Sequence, residues 1–184
     1  VLILRARLHQ PAGHRYPPLI DVAGHDPKLF LVTGVMAAGK STVGQALAER
    51  FDRGVHVRGD WFRRSIVAGR VDMSPAPSDE ALAQLRLRYE LAVSCAQRYR
   101  DAGFTTVLQD TIIGPMLTEV VDMFHTSPVV IVLAPSVEEI ARREHGRPKT
   151  GYEHFTPADL DAVLREETPN VGLWVDSTDL SVEE

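Results

Sequence analysis

Cysteine is nearly missing from this chain. Of 184 residues only Cys95 carries a thiol, so no intrachain disulfide can hold the fold. That suits a reducing, cytoplasmic setting, and Cys95, set in an apolar helical pattern, reads as a small buried hydrophobe. Positive charge is in deficit: 20 Lys and Arg against 25 Asp and Glu leave a formal net charge of −5. Non-specific nucleic-acid binding rests on neutralising phosphates, so this balance argues against it and leaves room only for a local basic patch. No apolar run approaches the roughly 20 residues of a membrane span. The opening VLILRARL is too short, and its charges lie in the wrong place, for a signal peptide. Internal repeats and low-complexity tracts are absent as well.

What is present begins irregularly. Residues 1–27 are rich in Pro, Gly and His without periodicity and read as a loose leader to a single domain over 28–184. From Lys28 the chain alternates between two periods. KLFLVTG is a short apolar run ending in Gly34, a buried strand. KSTVGQALAERF (40–51) places Val43, Ala46, Leu47 and Phe51 on one helical face. Val55–Arg58 reads as a second strand. A long helix is expected over Asp79–Arg100, with Ser78 at its start and Leu82, Leu85, Tyr89, Ala92, Val93 and Ala96 recurring at helical spacing. FTTVLQD is a third strand, and Pro115 opens the helix that follows. PVVIVLAP is the most apolar strand. In SVEEIARREH, Ser136 and Glu139 have the spacing of a capping box, and Thr156-Pro157 repeats the device before DLDAVLREE. VGLWVD closes the series. Strands alternating with helices predict an α/β fold, a parallel sheet with helices on both faces.

Between the first strand and first helix lies Gly34-x-x-x-x-Gly39-Lys40-Ser41. This is the phosphate-loop (Walker A) pattern in the context that it requires. Glycines let successive backbone N–H groups converge on one anion, and the helix N-terminus adds partial positive charge. Gly34, Ala37, Ala38 and Gly39, with Lys40, Ser41 and Thr42, are the candidate nucleotide contacts. Lys40 can reach the β- and γ-phosphates, and the Ser41 hydroxyl can ligate Mg²⁺.

A phosphate loop does not by itself separate a kinase from a switch or a motor. The second strand ends in Gly59-Asp60-Trp61-Phe62-Arg63, at the sheet edge where ligands gather. Asp60 can take the proton of an attacking hydroxyl, and Arg63, one turn on, can hold an anionic group. Asp60 can equally cap a helix starting at Trp61. Asp110, ending the third strand, is the candidate metal contact, and the two acids could exchange roles. Arg142, Arg143 and Arg147 follow the fourth strand. They are candidates for a lid over about 142–156 that closes on the transferring phosphates, with Arg143 or Arg147 in the catalytic part. His145 and His154 lack a metal-ligand pattern and read as surface residues. Trp61, Phe62, Arg63, Arg64, Met73 and Arg88 lie in the segment expected to hold an acceptor, about 61–102. The guanine-selecting N-K-x-D sequence is missing, which argues against a GTPase.

On GVMAAGKST, HVRGDWFR, FTTVLQD, SVEEIARREHGRPK and GLWVDST, the chain from about Leu29 resembles the small P-loop kinases of the adenylate, gluconate and shikimate kinase type. Within them it most resembles the group that includes chloramphenicol phosphotransferase and related ATP-binding proteins. The resemblance implies a P-loop three-layer sandwich whose five-stranded parallel sheet has the order 2-3-1-4-5. It implies ATP as donor, Mg²⁺, Asp60 as base, and adenine lying between Arg142 and the loop Asp176-Ser177-Thr178, with Ser177 a nucleotide contact. Relatives of this kind carry a terminal helix beyond the point where this chain stops. The function expected is phosphoryl transfer to a small-molecule hydroxyl. Nucleotide or nucleic-acid 5′-hydroxyl kinases, and a non-catalytic ATP-binding module, are the alternatives.

Overall fold

A computed structural model describes residues 26–146, 152 and 154–181. The expected leader, apart from Asp26 and Pro27, and the lid residue Arg147 lie outside the described residues.

Five strands form the frame: β1 (Leu29–Gly34), β2 (Gly54–Arg58), β3 (Thr105–Gln109), β4 (Val129–Leu133) and β5 (Leu173–Val175). All neighbouring pairs are parallel, and the order is β2-β3-β1-β4-β5, as the resemblance implied. Every residue of β1 and of β3 is buried. An unbroken buried run means that both faces of the sheet are covered, which is why these strands read as continuous rather than alternating apolar sequence.

The helices are α1 (Lys40–Ala48), α2 (Asp60–Arg64), α3 (Asp79–Asp101), α4 (Met116–Asp122), α5 (Val137–His145) and α6 (Pro157–Ala162), the last running into a π turn over Val163–Glu167. In α3, Ser78 caps by accepting from the Ala81 N–H, and Tyr89, Ala92, Val93 and Ala96 are buried as the spacing predicted. Thr156 and Asp159 form a full capping box before α6.

Three local expectations are corrected. The face that α1 presents to the sheet is Lys40, Gly44 and Ala48, while Val43 and Leu47 are only partly buried. Small residues win because the helix lies so close to β2: a Cβ on Gly44 would sit 2.7 Å from the His56 ring, and one on Gly54 would sit 1.8 Å from the Ala48 carbonyl oxygen. Before α5, Ser136 accepts from the Glu139 N–H, but Glu139 does not return the bond. The Ser136 N–H donates to the Thr178 hydroxyl instead, and the Glu139 carboxylate is held by Arg142 and Arg143. Cys95 is half-buried against the core rather than enclosed by it, and burial pushes its thiol pKa up.

Candidate active site

The phosphate loop occupies the carboxyl end of β1. Gly34 has φ 138° and Gly39 φ 96°, and Ala37, between them, is held at φ 62°. A Cβ on Gly34 would lie 2.3 Å from the Leu133 carbonyl oxygen, so glycine is needed for the approach to β4 as well as for the turn. The loop opens on the N-terminus of α1, which has no side-chain cap and no acid in its first turn. The positive end of the helix dipole is therefore uncompensated at the loop, where an anion would bind. Lys40 is buried and folds back so that Nζ donates to the Val35 carbonyl at 2.7 Å. Thr42, exposed on the first turn of α1, lines an open cleft together with Ser41, Gln45 and Arg58.

The ends of β2 and β3 lie side by side, with the Gly59 N–H donating to the Gln109 carbonyl at 3.0 Å. Gln109 and Asp110 are consecutive, so their side chains go to opposite faces of the sheet. Gln109 meets α1: the Ser41 hydroxyl donates to its side-chain oxygen at 2.7 Å. Asp110, buried, meets α3. Arg88 Nε donates to Asp110 Oδ2 at 2.7 Å, and its Nη2 pairs with Oδ1, which also accepts from the Thr111 N–H. Arg88, expected along an acceptor pocket, is thus committed to Asp110.

Asp60 is the first residue of α2, and Gly59 is its N-cap, so the carboxylate does not cap a helix beginning at Trp61. It is held instead by Arg63 Nε at 3.0 Å and by Arg64 Nε. Burial pushes the Asp60 carboxyl up, but the hydrogen bond and charge of Arg63, with the charges of Arg64 and Arg88, outweigh it and leave the pKa below the ordinary value. Arg63 also binds Asp72 at 2.5 Å, and Gln84 ties the same loop to α3 through the Gly69 carbonyl and the Val71 N–H. Trp61 is exposed, while Phe62 packs on the core.

At the far side, Arg143 of α5 joins three elements. It donates to Glu139 Oε1 at 2.6 Å, to the Ala38 carbonyl of the phosphate loop at 3.3 Å and to the Ser177 carbonyl at 2.7 Å. Arg142 is exposed and bound to Glu139. Hydrogen bonds from both arginines, with their charges, lower the Glu139 carboxyl to about 2. The Ser177 hydroxyl is buried without a hydrogen-bond partner. His145 and His154 are exposed, as expected.

Three residues of this site escaped the sequence reading. Gln109 is adjacent to the acid that drew attention. Tyr152, whose hydroxyl donates to the Met36 carbonyl at 2.7 Å, lies in the lid segment but carries no charge. Asp72 lies in an aperiodic loop. The signal available for Gln109 was its position, the last residue of an apolar strand beside the phosphate loop.

A phosphate loop between β1 and α1, in a parallel sheet of order 2-3-1-4-5, defines a P-loop nucleotide-binding fold. A protein family described as an AAA domain matches residues 29–168, and the chain belongs to that family. No curated protein matches the sequence. Among solved structures, the Mycobacterium tuberculosis APS kinase in complex with AMPPNP and APS aligns with a TM-score of 0.62 at 18% identity, over 87% of this chain and 93% of that one. A gluconokinase from Sinorhizobium meliloti aligns at 0.57 and 20% identity, over 86% and 87%. A chain of the Pnkp1/Rnl/Hen1 RNA repair complex aligns at 0.57 and 19%, over 77% of this chain and 44% of its own length. The fold is therefore that of the small P-loop kinases, and the resemblance to that family read from the motifs is borne out. No helix among the described residues is long and apolar enough to cross a membrane.

Proposed function

We propose that the protein is a kinase that moves the γ-phosphoryl group of ATP to a hydroxyl of a small molecule. The observation that carries this reading is Asp60, a carboxylate at the end of β2 with Arg63 locked beside it, on the same sheet edge as the phosphate loop. A binding module needs the loop alone, whereas transfer needs a group to orient the acceptor.

In this reading the loop amides and Lys40 neutralise the β- and γ-phosphate oxygens. The Ser41 hydroxyl, a hard oxygen donor whose proton is held by Gln109, suits Mg²⁺, which when bound would neutralise the same phosphates. Asp60, kept ionised by its arginines, retains lone pairs for the acceptor hydroxyl. The acceptor oxygen bonds to the γ-phosphorus as the bond to the β–γ bridging oxygen breaks. The hydroxyl proton passes to Asp60 and ADP leaves. Arg147, beyond α5, is the cation placed by sequence to stabilise that charge, while Arg143 holds the phosphate loop at Ala38.

The charge pattern supports a small acceptor over a nucleic acid. Arg63, Arg64, Arg70, Arg86 and Arg88 are each paired with a carboxylate of this chain, to Asp60, Asp72, Glu119 or Asp110. A groove for a polyanion needs cations free to displace counterions.

The test is acceptor-dependent ADP release, with Mg²⁺, across antibiotics, sugars, nucleosides and a 5′-hydroxyl oligonucleotide. Phosphate recovered on a small molecule supports the reading, and recovery only on the oligonucleotide replaces it with the nucleic-acid alternative. Asp60→Asn is expected to lose transfer while keeping ATP affinity. Lys40→Met is expected to lose on the order of 10²-fold or more in rate. ATP binding without transfer to any acceptor would favour the binding module.

A further inference from the structure

The acid expected beside the phosphate loop is not the residue that the fold delivers there. The Ser41 hydroxyl gives its proton to the Gln109 side-chain oxygen at 2.7 Å. A hydroxyl has one proton and two lone pairs. With the proton fixed on Gln109, the lone pairs of Ser41 are left for a cation. Gln109 is itself buried, so its amide is not free to swing toward solvent. The next residue cannot share the task. Asp110 leaves the strand toward the other face, is 1% exposed, and has both oxygens on Arg88. Gly59 leaves the space for that carboxylate, since a Cβ there would sit 1.8 Å from Asp110 Oδ2.

We infer that Gln109 is the positioning residue of the metal that accompanies the nucleotide, orienting Ser41 through a neutral amide, and that Asp110 is a structural acid with no metal role. This rests on the phosphotransfer reading and adds to it. Two consequences follow from the neutral amide. The chain supplies no uncompensated carboxylate at this position, and among the described residues no group of three or more His, Cys, Asp or Glu could hold a metal. The metal therefore arrives with the nucleotide phosphates and does not bind the free protein. Replacing the amide with a carboxylate of the same length should favour the metal-loaded nucleotide and disfavour the free one.

The experiment is calorimetric titration of ADP with and without Mg²⁺, and of Mg²⁺ alone. Wild-type protein is expected to bind ADP more tightly with Mg²⁺ and to show no saturable binding of Mg²⁺ alone. Gln109→Leu, which cannot accept the Ser41 proton, should cut the Mg²⁺-dependent gain by about tenfold or more and leave Mg²⁺-free affinity near wild type. Gln109→Glu should restore or enlarge the gain while weakening Mg²⁺-free binding. Asp110→Asn, checked for folding by circular dichroism, should leave the gain unchanged. Loss of the gain in Asp110→Asn with retention in Gln109→Leu overturns the inference. So does one-to-one binding of Mg²⁺ to the free wild-type protein, a measurement that needs no variant to fold. Absence of ADP binding under either condition removes the phosphotransfer reading and this inference together. ADP binding whose Mg²⁺ gain ignores Gln109 removes this inference alone.

Discussion

Arg88, well inside α3, closes on Asp110 at the end of β3, with side chains 14% and 1% exposed. The pair fixes α3 across the edge of the sheet where β2 and β3 end. A buried pair of this kind adds little over an apolar replacement, but breaking it strands a charge. Arg88→Met is therefore expected to cost about 3–5 kcal/mol, read as a lower urea midpoint at unchanged slope. Arg88→Met combined with Asp110→Asn should recover part of that loss. Equal instability in the single and double variants would mean that the packing of Arg88, not its charge, carries the effect.

Gly59 is the third member of this arrangement. Its φ is −59°, so no backbone strain demands glycine. What demands it is space, because a Cβ would overlap the Asp110 carboxylate. Gly59→Ala should displace Asp110 from Arg88 and destabilise the fold by about 1–3 kcal/mol, in the range of core overpacking. Thermal unfolding of this variant in the Asp110→Ala background, which removes the overlapping atoms, tests the cause: a penalty undiminished there would show that the clash lies elsewhere.

His56, on β2, lies between Gln45 and Gln109, with its Nε2 buried and without a hydrogen-bond partner. Burial, with the charge of Arg58, lowers its pKa from 6.5 to about 4, against a smaller opposing effect of Gln109. Between those values the unfolded chain binds a proton that the folded one does not, so stability rises with pH through this window and falls as pH drops from about 6.5 toward 4. His56→Gln should flatten that part of the pH–stability curve. An unchanged slope between pH 4 and 6.5 would assign it to other groups.

The phosphate loop was legible because it is local: an apolar strand, two glycines at fixed spacing, a lysine, and a helix, whereas the order of the sheet came only with the family resemblance, since its pairings join residues as far apart as Leu29 and Thr106. The caps at Ser78 and Thr156 were legible because they too are local. The partners of the charged residues were not. Asp110 and Arg88 are 22 positions apart, and Ser41 and Gln109 are 68 apart. Which of two adjacent residues faces the loop depends on the phase of the strand pleat, which an apolar run buried on both faces does not reveal. The contact face of α1 was read only in part, for a related reason: Val43, Leu47 and Phe51 do pack on the core, but Gly44 and Ala48 lie deeper. Large apolar residues signal burial, but Gly44 and Ala48 set how closely the helix approaches.

Arg143 carries the last prediction, because sequence and structure suggest different work for it. As a lid cation it would need only charge near the transferring phosphate. In the structure its planar fork is spent on geometry, joining the phosphate loop at Ala38 to the loop after β5 at Ser177 while Glu139 holds its Nε. Lysine keeps the charge but cannot span those carbonyls. Arg143→Lys is therefore expected to lose about 1–3 kcal/mol of stability, the range for hydrogen bonds to a charged group, and to bind nucleotide about tenfold more weakly through the slackened loop, one such factor being about 1.4 kcal/mol. Turnover at saturating nucleotide should change far less. Unchanged stability and affinity with a collapse in turnover would place Arg143 on the phosphate and leave the anchoring of the loop to Tyr152.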